Sequence, residues 1–369
     1  MPTDGWAGGL SVGRIEASPS EASKEHRVPE DPVRPGPAVP TVTTLEEIPP
    51  TERSPVAGVQ EALRRRRARP GGRLYAVVRW GGAGLFAVVV VSLVVSLVNS
   101  SSQAFAHSGL SILWTGTWDP THQVYGAAEF IVGTLVTTAV ALILAVPVGV
   151  ASSAYLSDLA PRWLAAPLSV AIDLIAAVPS IVVGLWGLLV LTPLFAQHVE
   201  PFFKRIPVIE WFFHGQALGP SMLLAGVVLA VMILPTIVAL ARTAMGAVPL
   251  TDREAARALG GTPWQVVRHA VIPGARTGIE AAVTLAMGRA LGEAIAVAMV
   301  IGNSYTYPHS LLSPGATLGS AVVNTFGGAT TSLERSAVIA LVVILLAITA
   351  LVNAGGQLLL RARRRPVGA

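Results

Sequence analysis

Two side chains of opposite charge lie four residues apart inside an otherwise largely apolar run, residues 277–301. Arg289 and Glu293 are separated by one helical turn, so we expect them on the same face of a helix. A guanidinium presents a planar fork of N–H donors that fits the oxygens of an oxyanion. A carboxylate could neutralise that cation, or accept a hydrogen bond from an oxyanion that keeps a proton at neutral pH.

This pair has two interpretations. A charged side chain in the hydrocarbon of a bilayer costs about 2.5–3.5 kcal/mol or more, so both should face the interior of a helix bundle. In one interpretation the two residues form a structural clasp. In the other, Arg289 binds a passing oxyanion, and Glu293 pairs with Arg289 at rest or accepts a hydrogen bond from the protonated anion. Asp173, inside another apolar run, is a further candidate that could pair with Arg289 across the bundle. Ionisable groups within membranes are functional by default, which favours the second interpretation.

The composition of the chain shows why these charges are unusual. Of the 369 residues 52% are hydrophobic and 13% are charged, with a mean hydropathy of +0.62. Such a composition indicates an all-α polytopic membrane protein. Six runs are long enough to cross a bilayer, at residues 80–98, 130–154, 164–191, 222–241, 277–301 and 336–360. The sequence contains no cysteine and no cluster of metal ligands, so we expect neither a metal nor a cofactor.

Arginine residues in the connecting segments predict the orientation of these helices. A basic cluster precedes the first run, and residues 242–276 contain five arginines, whereas residues 99–129 contain neither Lys nor Arg. Because basic residues stay on the cytoplasmic side, both termini are predicted to be cytoplasmic in a multi-pass cell-membrane protein. Residues 1–73 read as a disordered cytoplasmic tail with a basic cluster beside the membrane. We expect a six-helix membrane domain at 74–365 and a short C-terminal tail at 366–369.

The second run carries small side chains at every fourth position. These are Gly133, Thr137, Ala141, Ala145 and Gly149. Lipid tails provide no hydrophobic force for helix association, so close approach of the backbones must supply the contacts. The pattern therefore predicts a helix-packing face.

The loop after the fourth run predicts two short helices joined by a sharp turn. Thr251 and Glu254 are spaced as a capping box for the first helix, and Gly260 suits its left-handed C-cap. Thr262 and Gln265 form a second capping box at the start of the next helix. The sequence thus predicts a compact helical elbow between two membrane spans.

This elbow, residues 249–273, resembles the EAA signature of ABC-importer permeases. The resemblance rests on Glu254, Ala255, Ala256, Gly260 and Pro273. It implies that the elbow couples the membrane helices to a separate cytoplasmic ATPase. Glu254 could instead serve only in the capping box, and similar spacing occurs in DNA-binding helix-turn-helix units. A unit between two spans leaves no room for a supporting DNA-binding domain, so no nucleic acid is expected.

Longer segments are similar to phosphate-importer permeases of the PstC type. These are residues 133–157, 287–304 and 310–326, within a likeness that covers about 75–365. The resemblance implies a permease subunit that pairs with a homologous permease, a cytoplasmic ATPase dimer and an extracytoplasmic phosphate-binding protein. Because they are ionisable groups inside predicted spans, we expect Arg289, Glu293 and Asp173 to lie on the substrate pathway. The chain has no GxxxxGK[ST] loop, so hydrolysis of ATP is assigned to a partner.

Three alternatives remain open at this point. The chain could be a sister-type permease for another oxyanion such as sulfate or molybdate. It could be an ion-coupled secondary transporter that uses Arg289 and Glu293 as a substrate and proton site. A membrane scaffold without transport activity would leave the charges in the membrane without a purpose.

Overall fold

The computed structural model describes residues 71–204 and 219–363. Clustering of contacts divides the chain into two units, Met1–Leu74 and Tyr75–Ala369. Most of the predicted tail at 1–73 and all of the predicted C-terminal tail at 366–369 lie outside the described residues, so the disorder predicted for 1–73 stays a prediction. The described residues belong to the second unit, apart from residues 71–74, which form the first turn of the leading helix.

The described chain is almost entirely helical. The longer helices are α1 (Gly71–Ser100), α3 (Ala128–Ala154), α4 (Arg162–Ala177), α8 (Met222–Gly246), α11 (Ile272–Leu291) and α14 (Ser332–Arg363). The shorter ones are α2 (Ser102–Ser108), α5 (Ser180–Trp186), α6 (Thr192–Leu194), α7 (Glu200–Lys204), α9 (Leu250–Ala258), α10 (Pro263–Val266), α12 (Ile295–Val300) and α13 (Leu318–Thr325). Two short strands, β1 (Trp118–Asp119) and β2 (Val124–Tyr125), pair in antiparallel fashion between α2 and α3.

Several helices continue into short turns with wider or tighter winding. π-helical turns follow α3 at Tyr155–Leu159, α5 at Gly187–Leu191, α6 at Phe195–Val199 and α10 at Val267–Val271. 3₁₀ turns occupy Gly109–Leu113 and Phe326–Gly328. The turn at Tyr155–Leu159 extends α3 to the neighbourhood of the elbow.

Five segments of the described residues are long and apolar enough to cross a membrane. They are Tyr75–Ser100, Ala128–Leu159, Ser180–Phe202, Met222–Gly246 and Ser332–Leu358. This confirms the prediction of an all-α polytopic membrane protein, with five such helices where six were expected. The predicted span at 277–301 has no counterpart among the five, and the third span is displaced to Ser180–Phe202.

Both of these predicted spans are interrupted. Val178 has an extended backbone (φ −64°, ψ 128°), as the residue before a proline prefers, so Pro179 separates α4 from α5. The apolar segment of spanning length then begins at Ser180 and continues to Phe202. In the fifth predicted span, α11 ends at Leu291 and a new helix begins at Ile295. Each of the predicted runs 164–191 and 277–301 is thus divided between two helices.

The small-residue face of α3 packs as predicted. Its five small residues are all buried. A β-carbon at Gly133 would lie 2.0 Å from the carbonyl oxygen of Ala316, and one at Gly149 would lie 2.7 Å from Cγ2 of Ile237 in α8. Only glycine permits approaches this close. The face thus holds α3 against α8 at one end and against the segment before α13 at the other.

The elbow consists of α9, α10 and the turn Val267–Val271. The first predicted capping box is absent, because α9 begins at Leu250 directly after Pro249 and Thr251 already lies inside the helix. The second box is confirmed: the N–H of Thr262 donates to Oε1 of Gln265 at 2.8 Å, and the N–H of Gln265 donates to Oγ1 of Thr262 at 3.4 Å. Gly260 has the expected positive φ, at 82°.

Candidate functional site

The fifth predicted span contains a break at its charged residues. α11 ends at Leu291, with Gly292 as its C-cap, and α12 starts at Ile295. The carboxylate of Glu293 accepts a hydrogen bond from the backbone N–H of Ala296 at 3.2 Å, so it satisfies one N–H of the first turn of α12, whose N-cap residue is Ala294. Interrupted helices of this kind occur at the substrate sites of many transporters. The structure therefore gives Glu293 a local role at the break.

Arg289 lies in the last turn of α11 with an exposed side chain. Its Nη1 donates to Oγ1 of Thr236 on α8 at 3.1 Å. Among the described residues, the ion pairs join other side chains, and none joins Arg289 to Glu293. The expected pair is not formed, because the helix ends between the two residues and Glu293 leaves the helical register. A direct clasp between them is thus not what holds this region together.

Arg289 borders a cavity of about 760 Å³ between α8, α11 and α14. The lining residues are Thr236, Ala281, Thr284, Leu285, Gly288, Arg289, Asn353 and Gln357. Of these described lining residues, Arg289 is the charged one; the other polar groups are two hydroxyls and two carboxamides. The cavity therefore combines one cation with several neutral hydrogen-bonding groups, a composition that suits a small anion.

Gly288 explains how α14 comes so close to this cavity. A β-carbon at Gly288 would lie 2.9 Å from both Nδ2 and Oδ1 of Asn353. The absence of a side chain at 288 thus brings the Asn353 carboxamide against α11, one residue from Arg289. Sequence reasoning missed Asn353 and Gln357. Two carboxamides four residues apart in an apolar helix are the signal that could have identified them.

Asp173 lies apart from the contacts made by Arg289. Its side chain is exposed on α4, and it is not among the described residues that line the cavity. The nearest interhelical polar contact on α4 is one turn earlier, where Arg242 of α8 donates to the hydroxyl of Ser169. The structure thus places Asp173 on a helix that packs on α8, without bringing its carboxylate to Arg289.

The predicted coupling residues lie on the open surface of the elbow. Glu254, Ala255, Gly260 and Pro273 are exposed, and Ala256 is half-buried. Around them, Leu250, Leu259 and Trp264 are 70%, 91% and 54% exposed. A cluster of large exposed apolar side chains outside the apolar spans is typical of a protein–protein contact surface. The elbow therefore carries a surface suited to a partner.

The first part of α11 carries an ion pair between two of its own residues. Nε of Arg276 lies 2.9 Å from Oε1 of Glu280, one turn further along the helix. The Glu280 carboxylate thus has an ion-pair partner on its own helix.

The segments 287–304 and 310–326, singled out in the sequence, meet in the structure. The N–H of Gly315 donates to the carbonyl oxygen of Ile301 at 3.1 Å, and the N–H of Ser304 donates to that of Gly315 at 3.1 Å. Gly302 and Asn303 have positive φ angles of 92° and 50°, which turn the chain after α12. These two backbone hydrogen bonds thus hold the segment around Gly315 against the end of α12.

Comparisons with known proteins agree with this architecture. Residues 145–365 match the family described as binding-protein-dependent transport system inner membrane component. The phosphate transport system permease protein PstC of Pasteurella multocida is 41% identical over 277 residues, covering 74% of this chain and 86% of that protein. PstC of Haemophilus influenzae is 40% identical over 269 residues, covering 72% and 85%.

A search of solved structures gave weaker similarity. An inward-facing structure of the MetNI methionine ABC transporter has a TM-score of 0.47 and 20% identity, covering 67% of this chain and all of that one. The sequence matches carry the assignment, and they confirm the family predicted from the elbow and from residues 287–304. The chain belongs to the binding-protein-dependent transport system inner membrane components, and among them to the phosphate transport permeases of the PstC type.

Proposed function

We propose that this chain is the membrane-spanning permease subunit of an ATP-driven importer that translocates inorganic phosphate into the cytoplasm. The observation that carries the proposal is the cavity beside the broken helix, in which Arg289 is the charged group among the described lining residues. The names of its relatives supply the substrate class, since those proteins are phosphate transport permeases.

Arg289 is suited to transient binding of phosphate. Its side chain is exposed toward the cavity, so an anion can reach it without first displacing a protein carboxylate. The hydrogen bond to Thr236 fixes the direction of the guanidinium and leaves its other N–H groups for the anion. A charge that is neither deeply buried nor paired binds an anion weakly enough to release it, which transport requires.

Asn353 and Gln357 provide a basis for preferring phosphate over sulfate. Each carboxamide has a carbonyl oxygen that accepts hydrogen bonds and an amino group that donates them. At neutral pH phosphate keeps a proton to donate, whereas sulfate has none, so one acceptor would be unsatisfied with sulfate. The carboxamides would take the accepting role that the sequence suggested for Glu293, because the Glu293 carboxylate accepts the N–H of Ala296 instead.

The proposed assembly contains a homologous permease subunit, a cytoplasmic ATPase dimer and an extracytoplasmic phosphate-binding protein. The exposed side chains of Leu250, Leu259 and Trp264 around Glu254 form the surface that would dock on the ATPase. Closure of the ATPase on ATP would draw the two elbows together and open the helices outward. With both termini in the cytoplasm, the elbow lies on the ATPase side of the membrane.

An ion-coupled transporter would have no need for an exposed apolar elbow, which is why we favour the ATP-driven mechanism. Proteoliposomes that contain the purified chain with its partner subunits test this choice. Phosphate uptake should require ATP on the side of the ATPase and should persist when ionophores collapse the proton and sodium gradients. Uptake that proceeds without ATP and stops with the ionophores would overturn the proposal.

A further inference from the structure

A buried ion pair connects the elbow to the end of α3. The guanidinium of Arg253, in α9, contacts the carboxylate of Asp158 in the turn Tyr155–Leu159. These side chains are 10% and 6% exposed. Burying both charges carries a desolvation penalty, and apolar residues of the same size would often hold two elements together equally well. Stability alone is therefore a weak reason for this pair.

The same guanidinium also reaches the end of α8. Nη2 of Arg253 donates to the backbone carbonyl oxygen of Met245 at 2.5 Å. One side chain thus fixes the first elbow helix to two membrane helices at once. An apolar cluster with Ala154, Met245 and Val248 on one side and Val266 and Val271 on the other packs around this junction. The elbow and the adjoining ends of α3 and α8 therefore form one packed unit.

At its other end α3 contacts the region of the helix break. Oγ1 of Thr134 accepts a hydrogen bond from the N–H of Leu318 at 2.9 Å, and Gly133 lies against the carbonyl of Ala316. The next residue of α13, Gly319, lies against the carbonyl of Glu293. Packed contacts thus run without interruption from Arg253 along α3 to the break that follows Arg289.

We propose that Arg253 and Asp158 are positioning residues that transmit movement of the elbow to α3 and so to the broken helix beside the cavity. The proposal rests on the proposed function, because it assumes an ATPase that moves the elbow. Packed helices shift as rigid bodies, so a fixed joint at one end of α3 displaces its other end. Without the pair, the apolar cluster would still hold the elbow beside α3, but α9 would lose its fixed joint to α3, and less phosphate would be moved for each ATP hydrolysed.

The test compares variants of the pair in reconstituted complexes. Asp158→Asn keeps the size of the side chain and removes its charge. Arg253→Lys keeps the charge. The lysine side chain is shorter and ends in a single ammonium, so it cannot bind Asp158 and the Met245 carbonyl at the same time as the guanidinium does. Glu280→Gln is the matched control, because it removes an ion pair that joins residues of one helix. Asp158→Glu keeps the carboxylate, so this variant should retain the function of the wild type.

For each complex we would measure bound ATPase, ATP hydrolysis and phosphate uptake. We expect the two pair variants to retain ATPase and hydrolysis, while the phosphate moved per ATP falls by roughly fivefold or more, a typical size for loss of coupling. Glu280→Gln and Asp158→Glu should keep the wild-type ratio. The ratio reports coupling, which a purely stabilising role would leave unchanged.

Two results would overturn the inference. One is a wild-type ratio in both pair variants, and the other is uptake that falls only in proportion to lost ATPase in both. If the proposed function itself were wrong, the wild-type complex would show no ATP-dependent phosphate uptake, a result that differs from both of these. If the wild type carried sulfate instead, the anion moved per ATP would still test the pair.

Discussion

Gly319 lies directly against the main chain of Glu293. A β-carbon at position 319 would stand 2.9 Å from the carbonyl oxygen of Glu293 and about as close to Ala294, so the start of α13 abuts the break between α11 and α12. The break is therefore supported by packing from another element. Its geometry depends on a residue that is distant in sequence and carries no functional group.

Replacement of Gly319 by Ala should loosen this contact. The added methyl group meets backbone atoms that cannot rotate away, and overpacking of this kind costs about 1–3 kcal/mol. We expect a lower midpoint of thermal inactivation of the purified complex and slower phosphate uptake. Gly328→Ala is the control, since no described atom lies within 4 Å of a β-carbon there. Equal midpoints for the two variants would contradict the account of the break.

A second prediction concerns the turn of the elbow. Gly260 has a φ of 82° with open space around a β-carbon, so an alanine there suffers backbone strain alone, about 1–2 kcal/mol. Gly260→Ala should therefore reduce the amount of ATPase retained per permease after washing. Gly246→Ala, at a helical glycine with equally open surroundings, should retain the wild-type amount. If both variants retain equal amounts, the left-handed turn does not matter for docking.

The orientation can be tested because the chain has no cysteine of its own. Leu259 and Trp114 are 91% and 68% exposed and lie at opposite ends of the predicted topology. A membrane-impermeant maleimide should label Trp114→Cys in intact cells. Leu259→Cys should react only in inside-out vesicles, and less so when the ATPase is bound. The opposite pattern would reverse the topology.

The hydrogen bond between Thr236 and Arg289 leads to a fourth prediction. Thr236→Val removes the acceptor at nearly constant volume, and a typical hydrogen bond contributes about 0.5–1.5 kcal/mol. We expect the phosphate concentration for half-maximal uptake to rise by roughly two- to tenfold. Thr243→Val is the matched control, because the Thr243 hydroxyl bonds to Ala239 of its own helix. A rise of the same size in the control would show that Thr236 has no special role.

Local signals in the sequence predicted the local structure well. The capping box of Thr262 and Gln265 is present, the small face of α3 is buried, and Gly260 adopts the expected turn. Each of these depends on residues within one or two turns of helix. Thr251 shows the limit: the helix begins at Leu250, two residues earlier than a cap at Thr251 requires, and this shift prevents the capping box.

Features that depend on distant contacts were missed. Hydropathy shows that 277–301 is apolar, but it does not show that the helix ends at Leu291, since the break is stabilised by Gly319. Arg253 looked like an ordinary elbow residue, because its partner Asp158 lies 95 positions earlier. The charge of Arg289 inside an apolar run identified it from the sequence, whereas the carboxamides beside it were found only from the packing of α14 on α11.

The central claim is that Arg289 serves the passage of phosphate, and uptake by reconstituted complexes of an Arg289→Ala variant tests it most directly. Hydrogen bonds to a charged group contribute about 1.5–3 kcal/mol, so uptake at low phosphate should fall by roughly ten- to a hundredfold. ATPase content and thermal stability should stay unchanged, since the side chain is exposed. Wild-type phosphate uptake by an Arg289→Ala complex with a full complement of ATPase would contradict the account.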